Sequence, residues 1–198
     1  MTSRWTTAHM TDMPSAEPKG AAADPLVLVL MGVSGCGKST VAALLSGRLG
    51  WPFEEGDVLH PQANVDKMAA GHPLSDEDRW PWLEKVAEGI EERLDFGENG
   101  IVTCSALKRS YRDLLNRGAS GIVFVYLAGD EPTIAARLAV RLGHYMPTSL
   151  LASQFADLEK PEADEPAIRV DIGPAPVVIA QQIIDELGLE DRAEKGEI

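Results

Sequence analysis

The sequence predicts an α/β protein built around a parallel β-sheet, and three observations support this prediction. Apolar runs of strand length alternate with segments of helical periodicity along most of the chain, which is the pattern of consecutive βαβ units. A glycine-rich loop at residues 32–40 separates the first apolar run from the first helix, and this order is typical of phosphate-binding loops. The length of 198 residues suits one domain with a sizeable core.

The predicted strands and helices follow one another in order. The first strand covers residues 26–31, and the first helix runs from the loop to Leu49, where Gly50 ends the pattern. A short second strand after Trp51 ends in Glu54-Glu55-Gly56-Asp57. Later strands are predicted at residues 101–104, 122–127 and 167–172, and later helices at 61–70, 81–94, 108–116, 131–141, around 151–158 and at 177–187.

The start of the long helix before residue 94 has two signals. Ser75-x-x-Asp78 resembles a capping box. Pro81 is then expected to begin the helix, because proline is tolerated in a first turn. The predicted buried face of this helix contains Trp82, Val86, Ile90 and Leu94.

The glycine-rich loop reads Gly32-Val-Ser-Gly-Cys-Gly-Lys-Ser-Thr40 and matches the pattern G-x-x-x-x-G-K-S. Glycines allow backbone N–H groups to approach phosphate oxygens, and the positive end of the following helix adds to the attraction. Lys38 is expected to reach the β- and γ-phosphates, and the Ser39 hydroxyl to bind Mg²⁺. An ordinary glycine-rich turn is the alternative, but the flanking strand and helix favour a nucleoside-triphosphate site. The predicted nucleotide-binding residues are Gly32, Val33, Ser34, Gly35, Cys36, Gly37, Lys38, Ser39 and Thr40.

Composition and charge restrict the class of protein. Lys and Arg number 18 against 31 Asp and Glu, a formal net charge of −13, which argues against a non-specific nucleic-acid binder. Two cysteines, no apolar run of about 18 residues or more and no signal-peptide pattern indicate a cytoplasmic protein without a membrane span. Residues 1–24 are expected to form a disordered tail and residues 189–198 a frayed one, which leaves a single domain at 25–188.

Polar residues follow several predicted strands, at the edge of the sheet where ligands of open α/β folds bind. Asp57 follows the second strand, and His60, Asn64 and Lys67 share one helical face at i, i+4 and i+7. This cluster could hold a hydroxyl-rich, anionic acceptor, but a solvated helix face capped by His60 explains it equally well.

Two pairs of basic residues stand at i, i+4 after later strands. Lys108 and Arg112 follow the third strand, and Arg137 and Arg141 follow the fourth. Such pairs on exposed helices usually face solvent. A binding role becomes the better hypothesis here because a phosphate loop is predicted nearby.

Several longer segments add a family resemblance to these patterns. They are Gly32–Thr40, Gly56-Asp57-x-x-His60-Pro61, Asn64, Lys67-Met68, the run from Pro73 through Arg79 to Leu83, Cys104 to Lys108, Tyr111 to Leu115, Gly143-His144 and Gln154-Phe155-x-x-Leu158-Glu159-x-Pro161. With these segments in unbroken order, residues 26 to 185 resemble gluconate kinases. Glu55, where many relatives have aspartate, and Cys36, where serine is frequent, depart from the family pattern.

The resemblance implies a fold, an activity and partners. The fold is that of the shikimate-kinase-like P-loop kinases: three layers, with a five-stranded parallel sheet flanked by helices, and a mobile lid near residues 141–150. The implied activity is the phosphorylation of D-gluconate to 6-phospho-D-gluconate with ATP and Mg²⁺. A homodimer is also expected.

The resemblance and the charges together give the expected roles of single residues. Asp57 is expected to accept or orient the proton of the attacking hydroxyl, and Glu55 to help hold metal-bound water. The expected catalytic residues are Lys38, Asp57, Arg137 and Arg141, with the two arginines closing over the γ-phosphate from the lid. The expected substrate-binding residues are Asp57, His60, Lys67, Arg79, Lys108 and Arg112, and Ser39 is the expected metal ligand.

Other nucleotide-binding classes fit less well. A GTPase would need N-K-x-D, which is absent, and its D-x-x-G occurs only at residues 185–188, in the last predicted helix. A nucleotide-sensing interaction protein would explain the loop but not the polar residues at three strand ends. A shikimate kinase or nucleoside-monophosphate kinase shares the fold and is the main alternative.

Cys36 has two possible environments in the phosphate loop. The helix N-terminus and Lys38 would favour its thiolate and make it reactive. Alternatively, the side chain tucks away from the ligand and is inert. A bridge to Cys104 under oxidation is conceivable if the two Cα atoms lie within about 7 Å.

Overall fold

A computed structural model describes residues 24–140 and 148–190 of the chain. The predicted N-terminal tail, most of the predicted lid at 141–150 and residues 191–198 of the predicted C-terminal tail lie outside the described residues. Leu150, at the end of the predicted lid, is buried. Leu189, assigned to the frayed tail, is also buried, and its N–H donates to the Ile184 carbonyl. The packed domain therefore extends at least one residue beyond the predicted boundary.

Five parallel strands form one sheet in the spatial order β2-β3-β1-β4-β5. The strands are β1 (Val27–Met31), β2 (Phe53–Glu55), β3 (Gly100–Thr103), β4 (Ile122–Ala128) and β5 (Ala167–Asp171). Every residue of the central strand β1 is buried, because helices cover both faces of the sheet. The predicted five-stranded parallel sheet is confirmed.

Helices pack on both faces of this sheet. They are α1 (Lys38–Leu49), α2 (Gln62–Ala69), α3 (Asp76–Asp95), α4 (Arg109–Asn116), α5 (Glu131–Val140), α6 (Thr148–Asp157) and α7 (Pro176–Leu187). On one face, α1 and α7 bury apolar side chains such as Leu45 and Ile183 against β1 residues Leu28 and Leu30. On the other face, α3 and α4 bury Ile90 and Leu115 together with the remaining β1 side chains. The three-layer fold is thus also confirmed.

Helix α3 begins earlier than the sequence predicted. The Ser75 hydroxyl accepts from the Asp78 N–H at 3.4 Å, and the Asp78 carboxylate accepts from the Ser75 N–H at 2.7 Å, so the capping box is complete. The helix therefore starts at Asp76, and Pro81 lies inside it instead of at its start. The cap organises the first turn, and buried Trp82 and Leu83 hold the helix on the sheet immediately after the proline. The prediction that Pro81 starts the helix was wrong.

A tight turn fixes the end of β2. A 3-10 helix, Gly56–Leu59, follows the strand directly. A Cβ atom on Gly56 would lie 2.2 Å from the carbonyl oxygen of Thr103, so only glycine fits at this position. The indole N–H of Trp82 donates to the Gly56 carbonyl at 2.7 Å. The turn that presents Asp57 is therefore held between β3 and α3.

We expect Gly56→Ala to lower the free energy of unfolding by about 2 kcal/mol or more, since the new methyl group must displace backbone. The matched control is Gly47→Ala in α1, where a Cβ meets nothing within 4 Å. That change should stabilise by about 0.5–1 kcal/mol. Urea denaturation of the three proteins measures both effects. A Gly56→Ala variant as stable as the wild type would show that the turn is not constrained by Thr103.

Candidate active site

A cavity of about 500 Å³ opens at the carboxyl edge of the sheet. Polar residues of the cavity wall come from the loop after β1, the turn after β2, the segment after β3, and helices α3 and α6. They are Ser34, Lys38, Asp57, His60, Arg79, Ser105, Ser153 and Gln154. The apolar part of the wall contains Val65, Met68, Ala69, Pro73, Leu74, Trp82, Leu107 and Leu150. Ligands of open α/β folds bind at this edge, so the cavity is the candidate active site.

The phosphate-binding loop connects β1 to α1. Gly35 and Gly37 have φ angles of +83° and +107°, which favour glycine, and a Cβ on Gly35 would lie 2.7 Å from the Leu138 side chain. Gly37 caps α1, so Ser39 and Thr40 lie exposed in its first turn. The Lys38 ammonium donates to the carbonyls of Gly32 at 3.0 Å and Val33 at 3.3 Å. The loop therefore places a cation and a helix N-terminus together, an arrangement suited to phosphate groups.

Cys36 is buried beneath this loop. Its side chain is 1% exposed, and its Sγ atom lies 3.0 Å from the position that a Cβ on Gly32 would occupy. Burial raises the pKa of its thiol despite the nearby Lys38. Burial likewise raises the pKa of the Cys104 thiol to about 12, and both cysteines are free. Of the two environments considered for Cys36, burial favours the inert thiol, because desolvation outweighs the attraction of the lysine and the helix end.

Asp57 and His60 lie on the turn after β2, and both contribute to the cavity wall. The imidazole of His60 stacks on the Trp82 indole, with ring centroids 4.0 Å apart and an angle of 18°. Burial lowers the pKa of His60, although Asp57 opposes this shift. His60 is therefore mainly neutral at pH 7 and offers hydrogen bonds instead of charge.

Arg79 enters the cavity from α3 and is held in place by two bonds. Its Nη1 donates to the Tyr111 hydroxyl at 2.9 Å and to the Asp157 carboxylate at 3.0 Å. Within the described part of the chain, its Nε and Nη2 atoms make no hydrogen bond to protein. These two atoms form the edge of a guanidinium that binds carboxylates bidentately. Arg79 is thus oriented by one nitrogen and has two further donors for a ligand.

Two predicted substrate-binding lysines bond to acids of α3 instead of lining the cavity. The Lys67 ammonium lies 2.5 Å from the Asp78 carboxylate and lowers the pKa of that group to about 2. The Lys108 ammonium lies 2.8 Å from the Asp76 carboxylate. These pairs join α2 and the start of α4 to the beginning of α3, which holds Arg79 from both sides.

Arg112 is not brought to the cavity. Its guanidinium forms an ion pair with Glu165 at 2.5 Å, and the two side chains are 1% and 4% exposed. The same guanidinium donates to the carbonyls of Ala106, Leu107 and Glu159. These bonds occupy its donors, so Arg112 fastens the loop after α6 to the segment before α4. The prediction of a substrate contact for Arg112 is corrected to a structural role.

Arg137, in α5, and Glu55, the last residue of β2, each bond to the end of another strand. The Arg137 guanidinium donates to the Ile172 carbonyl after β5 at 2.6 Å, and Arg137 does not line the cavity. The Glu55 carboxylate accepts from the Thr103 hydroxyl at 2.6 Å. Arg141 lies outside the described residues.

Four residues of the site were not predicted: Ser105, Tyr111, Ser153 and Gln154. Ser105 and Gln154 line the cavity, and Tyr111 orients Arg79 through its hydroxyl, which also donates to Asp76 at 2.5 Å. Gln154 and Tyr111 stand in segments that resemble gluconate kinases, which was the available signal. Ser105 stands in the segment Cys104 to Lys108, which has the same resemblance, whereas Ser153 lies outside these segments.

Neither a dedicated metal cage nor a membrane-crossing helix occurs in the described ranges 24–140 and 148–190. No cluster of three His, Cys, Asp or Glu residues there could hold a metal ion, and no helix there is long and apolar enough to cross a membrane. Mg²⁺ in phosphate-transfer sites needs few protein ligands, because it binds substrate phosphates and water. The exposed Ser39 hydroxyl at the start of α1 fits this coordination.

The fold and the cavity together define a phosphate-transferring enzyme of the P-loop kinase class. A family model described as an AAA domain matches residues 27–161. Gluconokinase from Gluconobacter oxydans is 50% identical over 84% of this chain and 94% of its own length. The chain belongs to the gluconokinase family.

Solved structures agree with this assignment. The crystal structure of a gluconokinase from Sinorhizobium meliloti has a TM-score of 0.73 and 45% identity, and covers 87% of this chain and 95% of its own. A sugar kinase from Janibacter sp. HTCC2649 has a TM-score of 0.81 and 42% identity, and covers 85% of this chain and 98% of its own.

We expect Glu165→Gln to destabilise the protein by about 2 kcal/mol or more, because it leaves the buried Arg112 charge without its partner. Arg112 lowers the pKa of Glu165. The stabilisation that the Glu165 carboxylate contributes is therefore present above the unfolded-state pKa of Glu165. It is lost as the pH falls through the lowered folded-state pKa of this group. Denaturant titrations of wild type and variant at a series of pH values should show the difference shrinking in acid.

The control for this experiment is Asp164→Asn, which removes an exposed partner of Arg109. Exposed pairs contribute little, so this variant should unfold close to the wild type. Turnover of folded Glu165→Gln should remain near normal. A large loss of gluconate affinity without loss of stability would show that Arg112 contacts the substrate.

Proposed function

We propose that this protein transfers the γ-phosphoryl group of ATP, in the presence of Mg²⁺, to D-gluconate and forms 6-phospho-D-gluconate. Its membership of the gluconokinase family supports this activity. The observation that favours it most directly is the composition of one cavity wall, where Lys38 of the phosphate loop, the Asp57 carboxylate and the free edge of Arg79 occur together. The transfer of a phosphoryl group from ATP to an anionic polyol needs these three groups. They are a positive charge for the ATP phosphates, an acceptor for the proton of the polyol hydroxyl, and a cation for the polyol carboxylate.

On the nucleotide side, the proposal assigns charge neutralisation to the phosphate loop. The N–H groups of residues 35–40 and the Lys38 ammonium would bind the phosphates, and the Ser39 hydroxyl would hold Mg²⁺. When bound, Mg²⁺ supplies charge to the phosphate oxygens as the bond to the leaving group breaks. Arg137, and Arg141 in the predicted lid near residues 141–150, stay proposed partners of the γ-phosphate.

On the acceptor side, the proposal assigns the hydroxyl to Asp57 and the carboxylate to Arg79. The attacking hydroxyl oxygen forms a bond to the γ-phosphorus, and the bond to the oxygen bridging to the β-phosphorus breaks, so ADP leaves with that electron pair. The hydroxyl proton passes to Asp57. Neutral His60 would hydrogen-bond further hydroxyl groups.

The assembly and the compartment are also proposals. The resemblance to gluconate kinases supports a homodimer, and the two free cysteines are consistent with a reducing cytoplasm. Light scattering of the purified chain measures its mass directly.

The activity is tested with a panel of acceptors. Release of ADP should be fastest with D-gluconate, compared with shikimate and with nucleoside monophosphates. Lys38→Ala should lower the rate by roughly three orders of magnitude, the size of a lost charge-stabilising group. Asp57→Asn should lower kcat but leave ATP binding nearly intact, because its role concerns the acceptor. Faster turnover of shikimate or a nucleotide would refute the proposed substrate.

The carboxylate contact is tested at Arg79. Arg79→Met should raise the KM for gluconate about ten- to hundredfold, which corresponds to the loss of charge-assisted hydrogen bonds. Arg79→Lys keeps the charge but not the bidentate edge, so its KM for gluconate should lie between those of the wild type and Arg79→Met. Lys108→Met is the control, since the Lys108 ammonium also lies near the Asp157 carboxylate, at 3.9 Å, but does not line the cavity. If Lys108→Met raised KM as much as Arg79→Met, Arg79 would not be the specific contact.

A further inference from the structure

One long-range hydrogen bond joins the phosphate loop to helix α6. The backbone N–H of Ser34 donates to Oε1 of Gln154 at 2.7 Å, across 120 positions of sequence. We propose that Gln154 is a further catalytic residue of phosphoryl transfer, whose Nε2–H donates to an oxygen of the transferring phosphoryl group while Oε1 stays on Ser34. This inference rests on the proposed function, since it concerns the same reaction.

The bond to Ser34 decides which end of the amide faces the cavity. A backbone N–H is a donor only, so the Gln154 atom that contacts it must be the oxygen. Nε2 then points away from that bond and makes no other hydrogen bond within the described ranges. Gln154 lines the cavity and is partly exposed there. Two N–H donors are therefore available to a ligand beside Ser34 and Lys38.

The position of Gln154 is fixed from the acceptor side as well. Asp157 lies three residues further along α6, so the two side chains share a face of the helix. Asp157 binds Arg79 at 3.0 Å. Helix α6 is thus fastened to the phosphate loop by Gln154 and to the proposed carboxylate-binding residue by Asp157. The helix that presents the amide is therefore fixed at two points, one on the nucleotide side and one on the acceptor side.

The chemistry of a carboxamide suits this place. Its N–H groups are neutral donors and favour an anionic phosphoryl oxygen, yet they do not neutralise Asp57, which must remain an acceptor. A donor held in place before the reaction costs no reorganisation as charge develops. Since ADP has no γ-phosphoryl group, the contact should affect turnover and not the binding of ADP.

The test compares Gln154→Glu, Gln154→Met and Gln181→Met with the wild type. Glutamate keeps an acceptor for Ser34 but has no N–H, and methionine keeps the size but has neither group. We expect kcat to fall roughly a hundredfold in both Gln154 variants, the effect of removing one preorganised donor. For Gln154→Met, the Kd of ADP and the Kd of gluconate measured without nucleotide should stay within about twofold of wild type, because the amide N–H contacts neither ligand in these complexes.

Gln181→Met is the matched control, because it makes the same chemical change on α7, where Gln181 does not line the cavity and its Nε2 donates to Asp185. Its kcat should be near that of the wild type. The proposal is overturned if Gln154→Glu retains full kcat, because the amide would then only brace Ser34. It is also overturned if Gln181→Met loses as much kcat as the Gln154 variants, or if the ADP affinity of Gln154→Met falls in parallel with its kcat. Thermal melting of each variant confirms its fold, and wild-type turnover of gluconate tests the proposed function separately.

Discussion

The central strand β1 is the constraint on which the geometry of the site depends. Its five residues are buried on both faces of the sheet, so the strand cannot shift without moving an apolar side chain into a helix interface. The phosphate loop leaves this strand directly. Hydrogen bonds from Gly32 to Ser105 and from Cys104 to Leu30 then tie the loop to the end of β3. This fully buried strand and its bonds to β3 therefore set the position of Lys38 relative to the acceptor residues.

The basic residues of the site divide into two groups by what holds them. Arg112, Lys108 and Lys67 are neutralised by acids of the protein and join helices and loops around the cavity. Among the described residues, Lys38 bonds only to backbone carbonyls, and Arg79 keeps one guanidinium edge without a protein partner. A cation that is not fully paired can bind an anionic substrate at lower cost. This difference in pairing separates the structural cations from those proposed to act in the reaction.

The sequence predicted the fold well because its signals are local. Apolar runs, glycines and one capping box identify nearly every described element. The start of α3 was predicted too late because the preference of proline for a first helical turn was applied to Pro81. The complete cap at Ser75 and the burial of Trp82 decide the start instead. The partners of the basic residues could not be predicted in the same way. Glu165 lies 53 positions from Arg112, and spacing along one helix gives no information about such a distant acid.

The same argument explains Gln154 and Cys36. Gln154 belongs to a segment with a family resemblance, but its contact with Ser34 depends on how α6 packs across the sheet edge. Sequence alone placed Cys36 beside a lysine and a helix end, both of which favour a thiolate. Folding turns the side chain under the loop, where burial favours the neutral thiol. In both cases the neighbours along the chain were known, and the direction of the side chain decided its chemistry. Residues of the phosphate loop therefore have different roles. Some present backbone N–H groups towards the ligand side, and the buried Cys36 side chain packs against the loop backbone at Gly32.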